Sequence, residues 1–224
     1  MSIKIYTKFL TTEERLPKNE IELLKKVIKK HVSKAGSILK IPLVNITVYP
    51  NSNFTIPETG EGGYAASKDW FHVYIDAAKR KNDLNRIIEK IIPGTIYHEM
   101  NHVARWQHTG FGSTLLEVMI TEGLASVFAK EQWKSGKDPW SGYSKKELNN
   151  LLDIFKQRKK SNDATYNHEE WFYGTGKLPR WIGYKIGSYI IKAFREKCST
   201  LSWEKIVKMS ADEIIKLSGV DFEK

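Results

Sequence analysis

The stretch TIYHEMNHVARWQH, residues 95–108, places three histidines and a glutamate within eleven positions. The apolar pattern around it, from Leu84 to Trp106, is helical. On a helix, His98 and His102 are separated by about 40° around the axis and about 6 Å along it, so both imidazoles can reach one metal ion. This segment therefore predicts a helix that carries two ligands of a metal site.

Glu99 follows the first of these histidines, so that His98, Glu99 and His102 have the HExxH spacing of zinc peptidases. The glutamate lies on a neighbouring stripe of the helix, where it can hold a water molecule without binding the ion itself. A motif this short also occurs by chance in unrelated proteins. A specific interpretation therefore needs a third protein ligand.

His108 is the first candidate for that ligand, because metzincins place their third histidine there in the pattern HExxHxxGxxH. The glycine of that pattern breaks the helix, whereas this chain has Arg105 at the same position, a residue that favours helix. In a continuing helix, His108 lies about 9 Å beyond His102 and about 120° around the axis from it. We therefore expect His108 to be a solvent-facing residue near the helix end and not a ligand.

Two glutamates of the next predicted helix are the other candidates. Glu117 has a local role, because it is the N3 residue of a capping box that begins at Thr114. Glu122 has no such role and lies on a helix that is apolar on nearly every side, where a carboxylate needs a cation. A glutamate that reaches water or pairs with an arginine is the alternative. Gly123 beside it allows another backbone to approach closely. The predicted metal ligands are His98, His102 and Glu122.

Strands are predicted only in the N-terminal part of the chain. A short strand at Ile3–Ile5 and another at Asn45–Pro50 precede a hairpin that turns at Lys68–Asp69 and ends in Trp70–Ile75. After Asp76 only helical patterns and loops follow. This order predicts an α+β fold with a small mixed or antiparallel sheet.

Helices are predicted at Pro17–Leu39, at Leu84–Trp106 and through most of the chain after residue 113. One of the helices after residue 113 is predicted to end near Lys160. Pro93 either kinks the second of these helices or begins a new one. The segment Asn162–Pro179 is predicted to be a loop rich in aromatic residues. We expect a single domain, residues 1–224, with a sheet-containing lobe of about 1–112 and a helical lobe of about 113–224.

The net charge of +10 comes from 36 basic and 26 acidic residues. Many lysines fall in runs such as Lys25–Lys30 on segments with apolar residues at helical spacing, which is typical of a solvated helix face. We therefore expect no nucleic-acid partner. Cys198 is the only cysteine, which excludes internal disulfides and a cysteine-based zinc site. The chain shows no secretory signal and no apolar run of membrane-spanning length, so we expect no membrane partner and a cytoplasmic location.

Three sequence elements together resemble a bacterial family of predicted zinc-dependent proteases of otherwise unknown function, within the gluzincin group. They are YHEMNHVARW (Tyr97–Trp106), TLLEVMITEGLASVFAKE (Thr114–Glu131) and PRWIGYKIGSYII (Pro179–Ile191). The resemblance runs from about Val48 to the C-terminus. It implies a zincin-like fold, one Zn²⁺ per chain and hydrolysis of peptide bonds.

The resemblance also implies roles outside the ligand set. Gluzincins commonly supply a tyrosine or histidine that stabilises the tetrahedral intermediate, and Tyr184 between two glycines is our candidate for this role. A core tyrosine is the alternative, and His168 and Tyr173 are further candidates. Thermolysin-type enzymes often have an aspartate four residues after the ligand glutamate. Because Ser126 stands there, another residue must orient the histidines.

The strand Trp70–Ile75 is the predicted substrate site, because gluzincins add an extended peptide to an exposed edge strand beside the HExxH helix. The Gly60–Gly63 loop flanks it, and a strand simply packed on the core is the alternative. The predicted function is peptide-bond hydrolysis by a zinc-activated water with Glu99 as general base. A catalytically silent metal- or protein-binding module with a peptidase-like fold is the alternative, although such a module does not need the base.

Overall fold

A mixed sheet forms the N-terminal part of the fold. The computed structural model describes residues 3–79, 81–135, 138–159 and 166–222. Within these ranges the strands are β1 (Lys4–Phe9), β2 (Leu43–Pro50), β3 (Glu61–Ser67) and β4 (Trp70–Ile75), in the spatial order β1-β2-β4-β3. β1 and β4 each pair with β2 in parallel, and β3 pairs with β4 as an antiparallel hairpin. The prediction of an α+β fold with a small mixed sheet is confirmed.

β4 is a central strand, because it pairs with β2 on one side and with β3 on the other. The prediction that Trp70–Ile75 is an exposed edge strand is therefore wrong. The alternation of apolar and polar residues in β4 shows that one of its faces is buried, but the same alternation occurs in central and edge strands. Within the described ranges, the edges of the sheet are β1 and β3.

One face of the sheet is covered by helices. Phe71, Val73 and Ile75 of β4 are completely buried, and both β3 and β4 contact α3 (Ile92–Trp106). The helix α1 (Lys18–Leu39), which connects β1 to β2, packs against α3 through an apolar stripe. The predicted helix Pro17–Leu39 is therefore confirmed to within one residue.

The helix that carries the HExxH motif begins at a proline. α2 (Lys81–Arg86) and a π-helical turn (Ile87–Ile91) precede α3, and Pro93 lies in the first turn of α3. A proline is favourable there because the first N–H groups of a helix have no intrahelical acceptor. Helical backbone continues without a break from Lys81 to Trp106, and the π-helical turn just before Pro93 is its irregular part.

The rest of the chain is helical and contains α4 (Leu115–Gln132), α5 (Lys145–Lys159), α6 (Ile182–Lys197), α7 (Trp203–Ile206) and α8 (Ala211–Ser218). The predicted end of α5 at Lys160 lies outside the described residues. The predicted loop Asn162–Pro179 instead contains a π-helical turn, Glu169–Tyr173. Its start is stabilised by the Asn167 side chain, which accepts a hydrogen bond from the backbone N–H of Glu170.

Internal contacts divide the chain into two compact units, Met1–His108 with Phe128–Lys137 and Thr109–Val127 with Asp138–Lys224. The first contains the sheet, α1 and α3, and the second contains α5, α6 and α8. α4 contributes residues to both units. Among the described residues, no helix is long and apolar enough to cross a membrane.

Candidate metal centre

His98 and His102 face each other on α3. Their Nε2 atoms are 2.9 Å apart, and their rings meet nearly at right angles. Two nitrogens bound to one tetrahedral zinc at about 2.0–2.1 Å are separated by roughly 3.3 Å. The two imidazoles are therefore placed almost as a shared ion requires.

Glu122 is the third member of the cluster. It is buried on α4, and its carboxylate and the two imidazoles offer ligand atoms that all lie within 4.8 Å of one another. Two neutral nitrogens and one anionic oxygen form a typical donor set for zinc and leave one position of a tetrahedron open. The residues present thus fit one zinc ion.

The backbone of α4 next to Glu122 lies close to that of α6. A Cβ built on Gly123 would lie 2.9 Å from the Cα of Gly187, and a Cβ on Gly187 would lie 2.9 Å from the carbonyl carbon of Met119. No side chain larger than hydrogen fits at either position. The expected close approach of another backbone at Gly123 is therefore confirmed.

The two rejected candidates lie outside the cluster. His108 is exposed beyond the last residue of α3, and its backbone N–H donates to the carbonyl oxygen of Arg105 at 3.0 Å. The carboxylate of Glu117 accepts hydrogen bonds from the backbone N–H groups of Ser113 and Thr114, at 2.9 and 3.0 Å. These bonds lower its pKa, and the Glu117 N–H donates to Thr114 Oγ1 in return. Glu117 therefore serves the capping box that the sequence predicted.

Glu99, the predicted base, lies between α3 and the strand β3. It is buried, and its carboxylate occupies the space that a side chain on Gly63 would need. A Cβ at Gly63 would be 2.8 Å from Glu99 Cδ and 2.7 Å from the Thr95 methyl carbon. The absence of a side chain at Gly63 therefore makes room for the Glu99 carboxylate.

Glu61 is a site residue that sequence reasoning missed. Its carboxyl group is completely buried, and it accepts hydrogen bonds from Thr95 Oγ1 at 2.5 Å and from Thr59 Oγ1 at 3.2 Å. Burial raises the pKa of Glu61, and the two hydroxyl donors and the nearby His98 oppose this rise. The glycine-rich segment around Glu61 contains no pattern that marks this residue as part of a site.

Ser126 does not replace the aspartate of thermolysin-type enzymes. Its hydroxyl oxygen is buried, and the described part of the chain offers it no hydrogen-bond partner. The amide of Asn101, beside His102 on α3, is also buried without a partner among the described residues. Buried polar groups of this kind are costly and rare.

Tyr184 lies in the first turn of α6 and packs edge-on against Phe172 and Trp181, with ring centroids 5.3 and 5.7 Å away. Trp181, just before the helix, has a φ of +68°, a strained value for a large side chain. The suggested role of the Tyr184 hydroxyl stays a prediction. Of the further candidates, His168 stacks on Phe172 with ring centroids 4.6 Å apart, and Tyr173 is exposed.

Fold and cluster together define an α+β protein whose HExxH helix and following helix supply a potential three-residue metal centre. Residues 24–216 match the profile of the family described as "Predicted Zn-dependent protease (DUF2268)", and the chain belongs to this family. No curated protein matches the chain significantly. No solved structure does so either.

Proposed function

We propose that this protein is a zinc-dependent peptidase of the gluzincin type that hydrolyses peptide bonds in peptides or proteins. The cluster of His98, His102 and Glu122, with Glu99 next to the first histidine, is the observation that carries the proposal. These three ligands would hold one zinc ion per chain. When bound, zinc lowers the pKa of water toward about 7 and polarises a carbonyl group.

Glu99 is the proposed general base. Its carboxylate takes a proton from the attacking water and then delivers that proton to the leaving amine. The Glu99 carboxylate lies in the space that a side chain at Gly63 would occupy, close to the β3 backbone. A fixed carboxylate loses little entropy when it reaches the geometry of proton transfer.

Tyr184 is the proposed donor to the oxyanion of the tetrahedral intermediate. Two observations support it. Tyr184 lies three residues before Gly187 on α6, which is about 4.5 Å along the helix axis. At Gly187, α6 contacts the part of α4 next to Glu122. The ring of Trp181, whose backbone has a strained φ of +68°, also packs against the Tyr184 ring, and such strain concentrates at functional sites.

The substrate is proposed to bind as an extended strand along β3. Gly60 accepts a hydrogen bond from the N–H of Asp76 at the end of β4, whereas the carbonyl of Glu61 accepts from Ile56 on the opposite side. The backbone N–H and C=O groups of successive strand residues point alternately to the two sides of the strand. Those of Gly63 and Ala65 therefore point away from β4, like those of Glu61. A peptide paired with them would lie beside Glu99.

We further propose that the two compact units work as one catalytic domain, because α4 contributes residues to both. The cytoplasm is the proposed location, since the only cysteine is free and the proposed ligands contain no thiol. A catalytically silent binding module remains the second candidate. The buried Glu99 carboxylate beside Gly63 favours the enzyme, because metal binding alone does not require it.

Zinc content and hydrolysis measured together test the proposal. The purified protein should carry about one zinc per chain, and His98→Ala, His102→Ala and Glu122→Gln should each lose most of it. Glu99→Gln should keep the zinc but hydrolyse casein or a peptide library at least ~10²-fold more slowly, because an amide cannot accept the proton.

His108→Ala is the matched control and should retain both zinc and activity. Zinc loss in His108→Ala together with zinc retention in Glu122→Gln would contradict the ligand set. A zinc-loaded parent protein without activity on broad peptide libraries would favour the silent module.

A further inference from the structure

The sheet carries a group of aromatic rings on the face opposite the buried residues of β4. We call this group the aromatic face. It consists of Tyr6, Tyr49, Tyr64, Trp70, His72 and Tyr74. The strand register assembles it, because Tyr6 lies opposite Asn45 and Asn45 opposite Trp70. His72 has Tyr64 opposite it on the other side.

Several rings of the aromatic face contact one another, and three of its residues are exposed. His72 stacks on Tyr49 and on Trp70, with ring centroids 5.0 and 4.9 Å apart and the planes within 26° of parallel. Yet Tyr6 and Tyr64 are each 58% exposed and Trp70 is 40% exposed. A contiguous exposed aromatic patch of this kind is typical of a binding surface.

A groove of about 540 Å³ crosses this face between Tyr6 and Trp70. Tyr6 belongs to β1 and Trp70 to β4, and β2 lies between these two strands. Asn45 and Thr47 of β2 therefore line the groove between the two aromatic residues.

Polar groups hold the walls of the groove in place. Trp70 Nε1 donates to Thr47 Oγ1 at 3.0 Å, and Asn45 Nδ2 donates to the carbonyl oxygen of Asp69 at 3.3 Å. The Asp69 carboxylate accepts from Ser67 Oγ within the β3–β4 turn. Amide, hydroxyl and carboxylate groups near the floor match a ring that carries its own donors and acceptors.

The charge along β1 favours an anionic ligand. Lys4 and Lys8 are exposed on either side of Tyr6, and alternation places all three side chains on the same face. Asp69 is the acidic residue in the lining, and its carboxylate is already bonded within the turn. Exposed aromatic rings interleaved with lysines form the pattern that binds bases by stacking and phosphates by charge.

We propose that the aromatic face binds single-stranded nucleic acid, with one base between Tyr6 and Trp70 and phosphates beside Lys4 and Lys8. This goes beyond the proposed peptidase function and departs from the expectation drawn from the sequence. The linear sequence shows no such patch, because its residues come from separate strands that the fold brings together. A neutral sugar polymer would use the rings but not the lysines.

Fluorescence anisotropy with labelled oligouridylate and oligothymidylate of about twelve nucleotides tests the proposal on the 224-residue protein purified in the presence of zinc. Tyr6→Ala and Trp70→Ala should each weaken binding about 10-fold or more, because each removes a stacking wall. Tyr6→Phe keeps the ring and should change affinity less than about 2-fold. Lys8→Ala should lower the slope of log affinity against log salt by about one, whereas Lys29→Ala on α1 should not.

Several outcomes would overturn this inference. The first is that neither oligonucleotide binds at low salt. The second is that Tyr6→Ala and Trp70→Ala bind as tightly as the parent, because lysines elsewhere on the protein would then explain the binding. A dimer in sedimentation equilibrium that dissociates in Tyr6→Ala, without oligonucleotide binding, would assign the face to a second copy. Binding of a neutral oligosaccharide in place of the oligonucleotides would assign it to sugars. Circular dichroism should show all variants folded, because Tyr6 is not a core residue.

Discussion

Gly63 is the residue through which the sheet controls the geometry of Glu99. A methyl group at this position overlaps the carboxylate, so Gly63→Ala should displace the base by a few tenths of an ångström to one ångström. Displacements of this size reduce rates by up to about 10²-fold. We expect zinc content to be unchanged and kcat to fall by roughly 10–10²-fold in peptide hydrolysis. Gly142→Ala, where a Cβ meets no atom within 4 Å, should behave like the parent.

Tyr184→Phe separates the two interpretations of this tyrosine. If the hydroxyl donates to the oxyanion, kcat should fall by about 10–10³-fold with little change in KM, because the bond forms mainly in the transition state. The ring contacts with Phe172 and Trp181 remain in the variant. A kcat equal to that of the parent, in a protein that still binds zinc, would exclude Tyr184 and direct attention to His168 and Tyr173.

The cluster was predictable because its signals are local. His98 and His102 follow from helix geometry, and Glu122 from a carboxylate on an apolar helix. Glu61 was not predictable, because its partners Thr59 and Thr95 are hydroxyl groups with no distinctive spacing. A buried acid that is stabilised by neutral donors and by its position in the sheet leaves little trace in one sequence.

Among the elements, the contact between α4 and α6 has the least room for change. In Gly187→Ala the new methyl group would overlap the carbonyl of Met119, a backbone group that cannot rotate away. We expect a loss of about 2 kcal/mol or more in the free energy of unfolding, although alanine is the better helix former. Urea denaturation measures this change. Stability equal to that of the parent would show that the two helices can separate without cost.

Elements differ in how well the sequence predicts them. The helical period of α1 and the capping box at Thr114 are each properties of one short segment, and the structure contains both. The neighbours of a strand in a sheet depend on distant segments of the chain. This explains why Trp70–Ile75 was wrongly predicted to be an edge strand. The π-helical turn at Glu169–Tyr173 is too short for a helical period to be recognised.

At the scale of the whole molecule, the buried His31 makes the free energy of unfolding depend on pH. Its ring packs against Trp133, and its Nδ1 lies 3.2 Å from the hydroxyl of Tyr97. Burial, with smaller contributions from Lys30 and Lys34, lowers its pKa from 6.5 to about 4. Between pH 6.5 and about pH 4, the His31 side chain is therefore protonated in the unfolded chain but neutral in the folded chain. The stabilisation is complete above pH 6.5 and is lost as the pH falls toward 4.

The size of this effect is measurable by urea unfolding at about pH 7 and about pH 5. His31 should account for roughly 2 kcal/mol of the stability lost between them, and His31→Phe should lose correspondingly less. His108→Phe, which changes an exposed histidine, should keep the pH dependence of the parent. Parallel pH curves for His31→Phe and the parent would show that His31 is protonated without cost in the folded protein.

The path of the chain through its two compact units determines the order in which they can form during synthesis. The chain leaves the first unit at Thr109, re-enters it at Phe128 and leaves it again at Asp138. A ribosome that has released only the residues up to His108 has therefore produced the whole sheet but not the last segment of the unit that contains it. By the time this segment emerges, Thr109–Val127, including Glu122, has also been made. The sheet unit is thus completed only after the third proposed zinc ligand has been made, and a single cut between α3 and α4 would separate Phe128–Lys137 from the rest of that unit.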